Sequence, residues 1–202
     1  MTDTSTPDRR QDSTSALTPL QRLLGRLPRF RKDRSGSVAI EFTALAIPFC
    51  LLVFAILESC ISFAGQQVLA NAADNVARQL RTGKERASTM TEQRLRELIC
   101  ADLTIIVSND CKDMNSPLEV DLRQYPTFAK AAEERIKLTP DGDIDTTGFD
   151  VKPGASMSKN MLRVFYRWPV MTDFMRKSMS NLKDGKTLHF ATVTWQNEPF
   201  DD

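Results

Sequence analysis

Residues 38–63 read VAIEFTALAIPFCLLVFAILESCISF. Its ionisable carboxylates are Glu41 and Glu58, with sixteen uncharged residues between them. Sixteen residues of helix extend roughly 24 Å against a hydrocarbon core of about 30 Å, so the flanks need add little to complete a crossing. The run has no polar stripe, which suits a helix surrounded by lipid or by other apolar helices and not the edge of a small soluble core. It is longer than the roughly 7–15 apolar residues of a secretory signal and lacks a small-residue cleavage site at its far end. The sequence thus predicts a single transmembrane helix over residues 37–63.

Charge supplies the orientation. Arg22, Arg26, Arg29, Arg31, Lys32 and Arg34 crowd in front of the run, opposed in that window by Asp33 alone. Basic residues stay on the cytoplasmic side, so the N-terminus is expected inside and the chain after about residue 64 outside. The expected division is a cytoplasmic leader (1–36), the span (37–63) and an extracytoplasmic head (64–202). Residues 1–16 are polar and expected to be disordered. Leu20, Leu23, Leu24 and Leu27 follow Thr18-Pro19 at helical spacing, which fits a short basic amphipathic helix on the inner leaflet or a leader with no task beyond topology.

Composition excludes several kinds of chemistry. The chain has 202 residues, enough for one or at most two domains, and a net charge of +1. Residues 64–202 hold nineteen Lys/Arg against twenty Asp/Glu, so no dominant basic face and no nucleic-acid partner are expected. A single histidine, His189, rules out arrangements that need two imidazoles. No Cys-x-x-Cys, G-x-S-x-G, Walker or dinucleotide motif is present. The expectation is a protein that is not an enzyme, with no catalytic residue, no metal and no cofactor.

Beyond the span, Val68, Ala72, Val76 and Leu80 recur every four residues, predicting that the helix continues to about Leu80 and ends near Gly83. Thr89-Met-Thr-Glu92 has the form of a capping box, opening a second helix through Leu95, Leu98 and Ile99 to about Asp102. Cys100 and Cys111 fall on the side where disulfides persist, and a bridge between them is expected in preference to two thiols. Cys50 and Cys60, ten positions apart in the apolar helix, read as small packing residues. The period then changes. Leu118, Val120 and Leu122 alternate with charges; Leu162, Val164, Tyr166 and Trp168 share a face of a strand halted by Pro169; Leu188 to Trp195 forms a last strand. Residues 127–138 are a short helix or part of a meander.

These elements predict an α+β fold in which the long helix packs with a small antiparallel sheet. Phe165, Tyr166 and Trp168 are expected in the core and His189 half-buried in its strand, with Arg163 and Arg167 on the other face available to a partner subunit. Asp141-Gly-Asp143-Ile-Asp145 has the alternate carboxylates of a calcium loop. Thr146 and Lys152 stand where that loop requires Gly and Glu, so a solvated acidic turn is the reading.

The string Ser35-Gly36-Ser37-Val38-Ala39-Ile40-Glu41-Phe42 joins a basic leader to the apolar helix through Gly, four residues, then Glu and an aromatic. It resembles the prepilin-peptidase site of type IV pilins and, most closely, the TadE/TadG-like pseudopilins of the Flp (Tad) pilus system. Pro48 within the helix, the Cys100 and Cys111 pair, and the ending Trp195-Gln196-Asn197-Glu198-Pro199-Phe200 are also similar to that family, over roughly residues 34–200. The chain departs from standard pilins in its long leader and in Ser37, where those have Phe or Met. The resemblance implies a pilin-like head on a minor pilin or assembly protein of the inner membrane. It also implies cutting after Gly36 by a prepilin peptidase, with other pilins and pseudopilins, the Flp/Tad assembly platform and membrane lipid as partners.

Physical chemistry gives those residues matching roles. Gly36 lets a protease hold the backbone extended without a side-chain clash. Cutting there leaves an amine on Ser37, and Glu41 of a neighbouring subunit can pair with it, offsetting desolvation and setting the stagger between helices. The competing reading is a signal-anchored periplasmic binding or sensory module.

Overall fold

The computed structural model describes residues 36–104, 109–113, 115–182 and 184–201; expectations for residues 1–35 lie outside the described residues. The elements are α1 (Ser37–Arg81), α2 (Glu92–Leu103), a 3-10 turn (Asn109–Lys112), β1 (Leu118–Tyr125), α3 (Phe128–Glu133), β2 (Val151–Lys152), β3 (Lys159–Pro169), α4 (Asp173–Met179) and β4 (Lys186–Gln196). The fold is α+β, a long apolar N-terminal helix with a small four-stranded sheet. The described residues divide into two compact units, the first ending at Leu51 and the second beginning at Leu52.

α1 runs for 45 residues and includes Pro48 without a break. Its second half buries Leu69, Ala72, Ala73, Val76, Ala77 and Leu80, a stripe one residue displaced at its start from the expected Val68. Gly83 ends it with φ +72°, a left-handed conformation that glycine adopts without steric cost, and its N–H returns to the Leu80 carbonyl. Gly65 serves another purpose. A Cβ there would stand 2.6 Å from the Trp168 ring, so only glycine lets β3 approach α1 this closely.

The sheet order is β2-β1-β3-β4. β1, β3 and β4 are antiparallel, with Val120 opposite Val164 and Val164 opposite Ala191. β2 corrects the expectation of a wholly antiparallel sheet, because it lies parallel to β1 with Leu122 opposite Val151. The Asp150 carbonyl accepts from Leu122 N–H at 2.8 Å, and the Asp121 carboxylate accepts from Asp150 N–H at 3.2 Å, which steers the chain alongside β1. Two residues are too few to show a strand period, so the sequence carried no signal of it.

One sheet face, with Leu118, Val120, Leu122, Leu162, Val164 and Tyr166, joins Leu69–Leu80 of α1 and Leu95 and Ile99 of α2 in a single core. On the other face Phe165 stacks between Phe149 and Phe190 at 5.5 and 6.4 Å. Arg163 and Arg167, expected there as available to a partner subunit, lie there and are already engaged within the chain. Arg163 is buried and its Nε is 3.0 Å from the buried Asp121 carboxylate, while Arg167 bridges Glu119 at 3.0 Å and Asp143 at 3.2 Å. Asp143 is thus an ion-pair partner in an acidic turn whose Asp145 carboxylate accepts from Thr147 N–H. Among the described residues no cluster of His, Cys, Asp and Glu is arranged to hold a metal.

Two fastenings hold α2. Its N-cap is Thr91, not Thr89: the Thr91 hydroxyl accepts from Arg94 N–H at 3.1 Å, leaving Thr89 to bond the Arg86 carbonyl. Cys100 is joined to Cys111, both fully buried. Closing so short a loop restricts the unfolded chain by about 3 kcal/mol. Replacing both cysteines by alanine is expected to lower the unfolding free energy by about that amount, read from denaturant midpoints of the oxidised wild type and the double variant in the same detergent. Equal midpoints would show that the bridge carries no stability.

Candidate anchor and assembly site

From Ser37 to Leu57 every side chain on α1 is exposed or half-exposed. Val38, Ile40, Phe42, Leu45 and Phe54 are each more than half exposed, so an apolar sheath surrounds the helix instead of one apolar stripe. Such a surface needs lipid or other apolar helices around it. The helix is long and apolar enough to cross a membrane. Hydroxyls within it are satisfied locally, Thr43 donating to the Ala39 carbonyl at 2.8 Å and Ser59 to the Ala55 carbonyl at 2.9 Å. Cys50 and Cys60 are free and exposed on this helix.

The residues singled out at the front of the helix occupy its first turns. Gly36 immediately precedes α1, and a Cβ placed there would meet nothing within 4 Å. Ser37 begins the helix, and its hydroxyl donates to Glu41 Oε1 at 3.0 Å, one turn on. Glu41 and Phe42 are exposed, so the carboxylate and the aromatic face outward from this chain.

Glu58 is the functional residue that sequence reasoning passed over. It is buried, and its Oε1 accepts from Met171 N–H at 2.5 Å and Thr172 N–H at 3.1 Å, while Oε2 accepts the Thr172 hydroxyl. Hydrogen bonds to a carboxylate are about twice as strong as neutral ones, and three of them offset the desolvation of this group. Thr172 is the N-cap of α4 but makes no side-chain cap bond, because its hydroxyl points to Glu58 instead. At the other end of α4, Ser59 Oγ lies 3.8 Å from Met179 Sδ. Adjacent residues of α1 therefore hold both ends of α4. The available signal was a carboxylate at the end of an apolar run, since such a group needs donors from elsewhere in the chain.

One turn further on, Ser62 Oγ and His189 Nε2 are 3.0 Å apart, both buried, beside a cavity of about 340 Å3 lined also by Phe63, Gln66 and Thr187. His189 stacks on Trp168 at 5.3 Å. A serine and a histidine at this distance are two parts of a hydrolytic triad. The third part orients the ring through Nδ1, and among the described residues nothing accepts from that atom. The ring is buried more deeply than the half-buried position expected for it.

Burial holds the His189 imidazole below its ordinary value of 6.5. The folded state resists protonation while the unfolded chain accepts it, so the neutral ring's contribution is intact above about pH 6.5 and is lost as pH falls below it. The Asp145 and Asp150 carboxyls, held below their ordinary 3.8 by Thr147 and Lys152, act only in a more acidic window. The melting temperature of the full chain is expected to fall by a few degrees between pH 7 and pH 5.5, and His189→Gln should flatten that slope. An unchanged slope in the variant would assign the titration to another group.

No curated protein and no solved structure matches the chain. A family model described as TadE-like protein matches residues 36–78, which begin at Gly36, take in the whole exposed apolar sheath, and continue through most of the stripe that packs on the sheet. Residues 36–78 of this chain are accordingly similar to TadE-like proteins, the family that the Gly36 to Phe42 motif and the apolar helix resemble.

Proposed function

We propose that the chain is a membrane-anchored minor pilin or pseudopilin, or an assembly protein, of a Flp (Tad) type IV pilus. In this reading it does no chemistry itself. A prepilin peptidase cuts it after Gly36, and other pilins, pseudopilins and the Tad assembly platform receive its N-terminal helix. The observation that carries the reading is the start of α1 at Ser37, directly behind Gly36, with a TadE-like domain opening at that same glycine. The TadE-like match over residues 36–78 supports a part in pilus assembly; cutting, and the role of a subunit within the pilus, are added by the motif. The basic residues before Ser35 support an inner-membrane protein with its N-terminus in the cytoplasm and its head in the periplasm.

The exposed Glu41 suits a contact between subunits. Among the described residues it accepts a neutral hydroxyl and no cation pairs with it, so its charge calls for a partner in a membrane. A cut at Gly36 creates the cation that a neighbouring subunit can offer.

Cutting is tested by sequencing the N-terminus of the protein in native membranes, where a Ser37 start is expected. Gly36→Arg should leave a precursor about 4 kDa heavier, the mass of the leader at an average residue weight. A full-length N-terminus in cells that contain the peptidase contradicts the proposal and favours an uncut anchor.

The register role of Glu41 gives a separate outcome. Glu41→Ala makes the span more apolar, so membrane level and processing should be normal. Breaking a buried charge pair costs about 3–5 kcal/mol, so surface piliation should fall at least tenfold, on the order of the first kcal/mol or two of that loss. Wild-type piliation in a correctly processed Glu41→Ala strain would sink the register mechanism.

A further inference from the structure

α4 buries none of its residues, although both of its ends are fastened to α1. Met171, just before it, is 78% exposed and Phe174, in its first turn, is 64% exposed. Both ends meet α1 at Glu58 and Ser59, where the exposed apolar run of Leu52, Val53, Phe54, Ile56 and Leu57 stops. A helix of twenty residues ending at Leu57 extends about 30 Å, the thickness of the hydrocarbon core, which puts the Glu58 turn at the membrane boundary. Immediately beyond, Phe63 is 71% exposed and continues the apolar surface past the boundary.

Charge follows the same order. Arg176 and Lys177 come directly after the apolar pair; Arg176 bridges Asp173 at 3.0 Å, and Lys177 is exposed with no ion-pair partner among the described residues. Apolar groups at the start of a short helix and cations at its end, held at the end of a membrane span, suit a lipid interface, where aromatic and methionine side chains enter the upper acyl region and cations meet phosphate.

We propose that α4 docks on the leaflet into which α1 opens, with Met171 and Phe174 inserted among the lipids and Arg176 and Lys177 at the level of anionic headgroups. The head is then held to the bilayer at a second point besides α1. This inference rests on α1 being a membrane span, and continuity with that span selects lipid as the occupant over a second copy of the chain.

The test uses the full chain in vesicles of phosphatidylcholine with phosphatidylglycerol. An environment-sensitive fluorophore is placed at Ser178→Cys in a Cys50→Ser, Cys60→Ser background, and at Thr147→Cys, on an exposed turn, as the reference. Quenching by lipids labelled near the headgroup is expected to be several-fold greater at position 178 than at 147. Met171→Asp with Phe174→Asp should bring position 178 down to the reference, with the disulfide intact and the near-ultraviolet dichroism unchanged. Separately, Cys50 is labelled in the Cys60→Ser chain. Failure of deep-quencher lipids to reach Cys50 would overturn the span and the docking together. Quenching at Cys50 without excess quenching at 178 would overturn docking alone. A signal at 178 that rises with protein density and not with quencher lipid would assign the face to a second copy and likewise overturn the proposal.

Discussion

α1 meets two environments without a break in its backbone, and Glu58 is the residue at which the requirement changes. Up to Leu57 the helix has no buried side chain. From Glu58 onward burial recurs at Glu58, Ser62, Gly65, Leu69, Ala72, Val76 and Leu80, steps of three and four that follow one face of a helix. An ionised carboxylate at a bilayer centre costs roughly 2.5–3.5 kcal/mol even on lenient scales. Its presence therefore limits how far the apolar section can extend, and the three donors from Met171 and Thr172 satisfy it at that limit. Those same donors fix α4 and hence the segment between β3 and β4.

This arrangement explains which parts of the fold were legible. The apolar run follows from its length and composition, and the extension of α1 and the three long strands from periodicities of 3.6 and 2 sustained over many residues. The lower part of the buried stripe was hidden because Glu58, Ser62 and Gly65 are polar or small. Each is buried for a reason outside its own segment: a carboxylate taking donors, a hydroxyl 3.0 Å from His189, and a gap filled by the Trp168 ring. The helix α4 shows no apolar face toward the core, so a pattern built on burial has nothing to find there. Thr91 and Thr89 are both plausible caps, and only the placement of the Arg94 N–H separates them.

The C-terminal Asn-Glu-Pro-Phe, met first as a family likeness, has a structural account in this chain. Buried Asn197 accepts from the Trp195 indole at 2.8 Å and donates to the Gly154 and Ala155 carbonyls at 2.9 Å. Glu198 N–H donates to the Arg81 carbonyl at 2.9 Å, one of the acceptors left open at the end of α1, and the Glu198 carboxylate bridges Arg81 at 3.1 Å. Phe200 covers Gly83, whose missing side chain leaves room for the ring. Asparagine is suited to this position because it both donates and accepts, which neither Asp nor Leu can do. The motif closes the head onto the last turn of α1.

The internal pairing of charge bears on where assembly contacts can form. Arg163 is bound by Asp121, Arg167 by Glu119 and Asp143, and Arg123 by Asp121 and Glu134. Arginines so engaged hold the far face of the sheet together, and a partner recruiting them would first have to break pairs already formed. The apolar surface of α1 before Glu58, by contrast, is exposed, and among the described residues Glu41 bonds the hydroxyl of Ser37 alone. Association through α1 therefore costs little prior disruption, whereas association through the arginine face would dismantle part of the head. In this chain the helix is the surface on which assembly is physically least opposed.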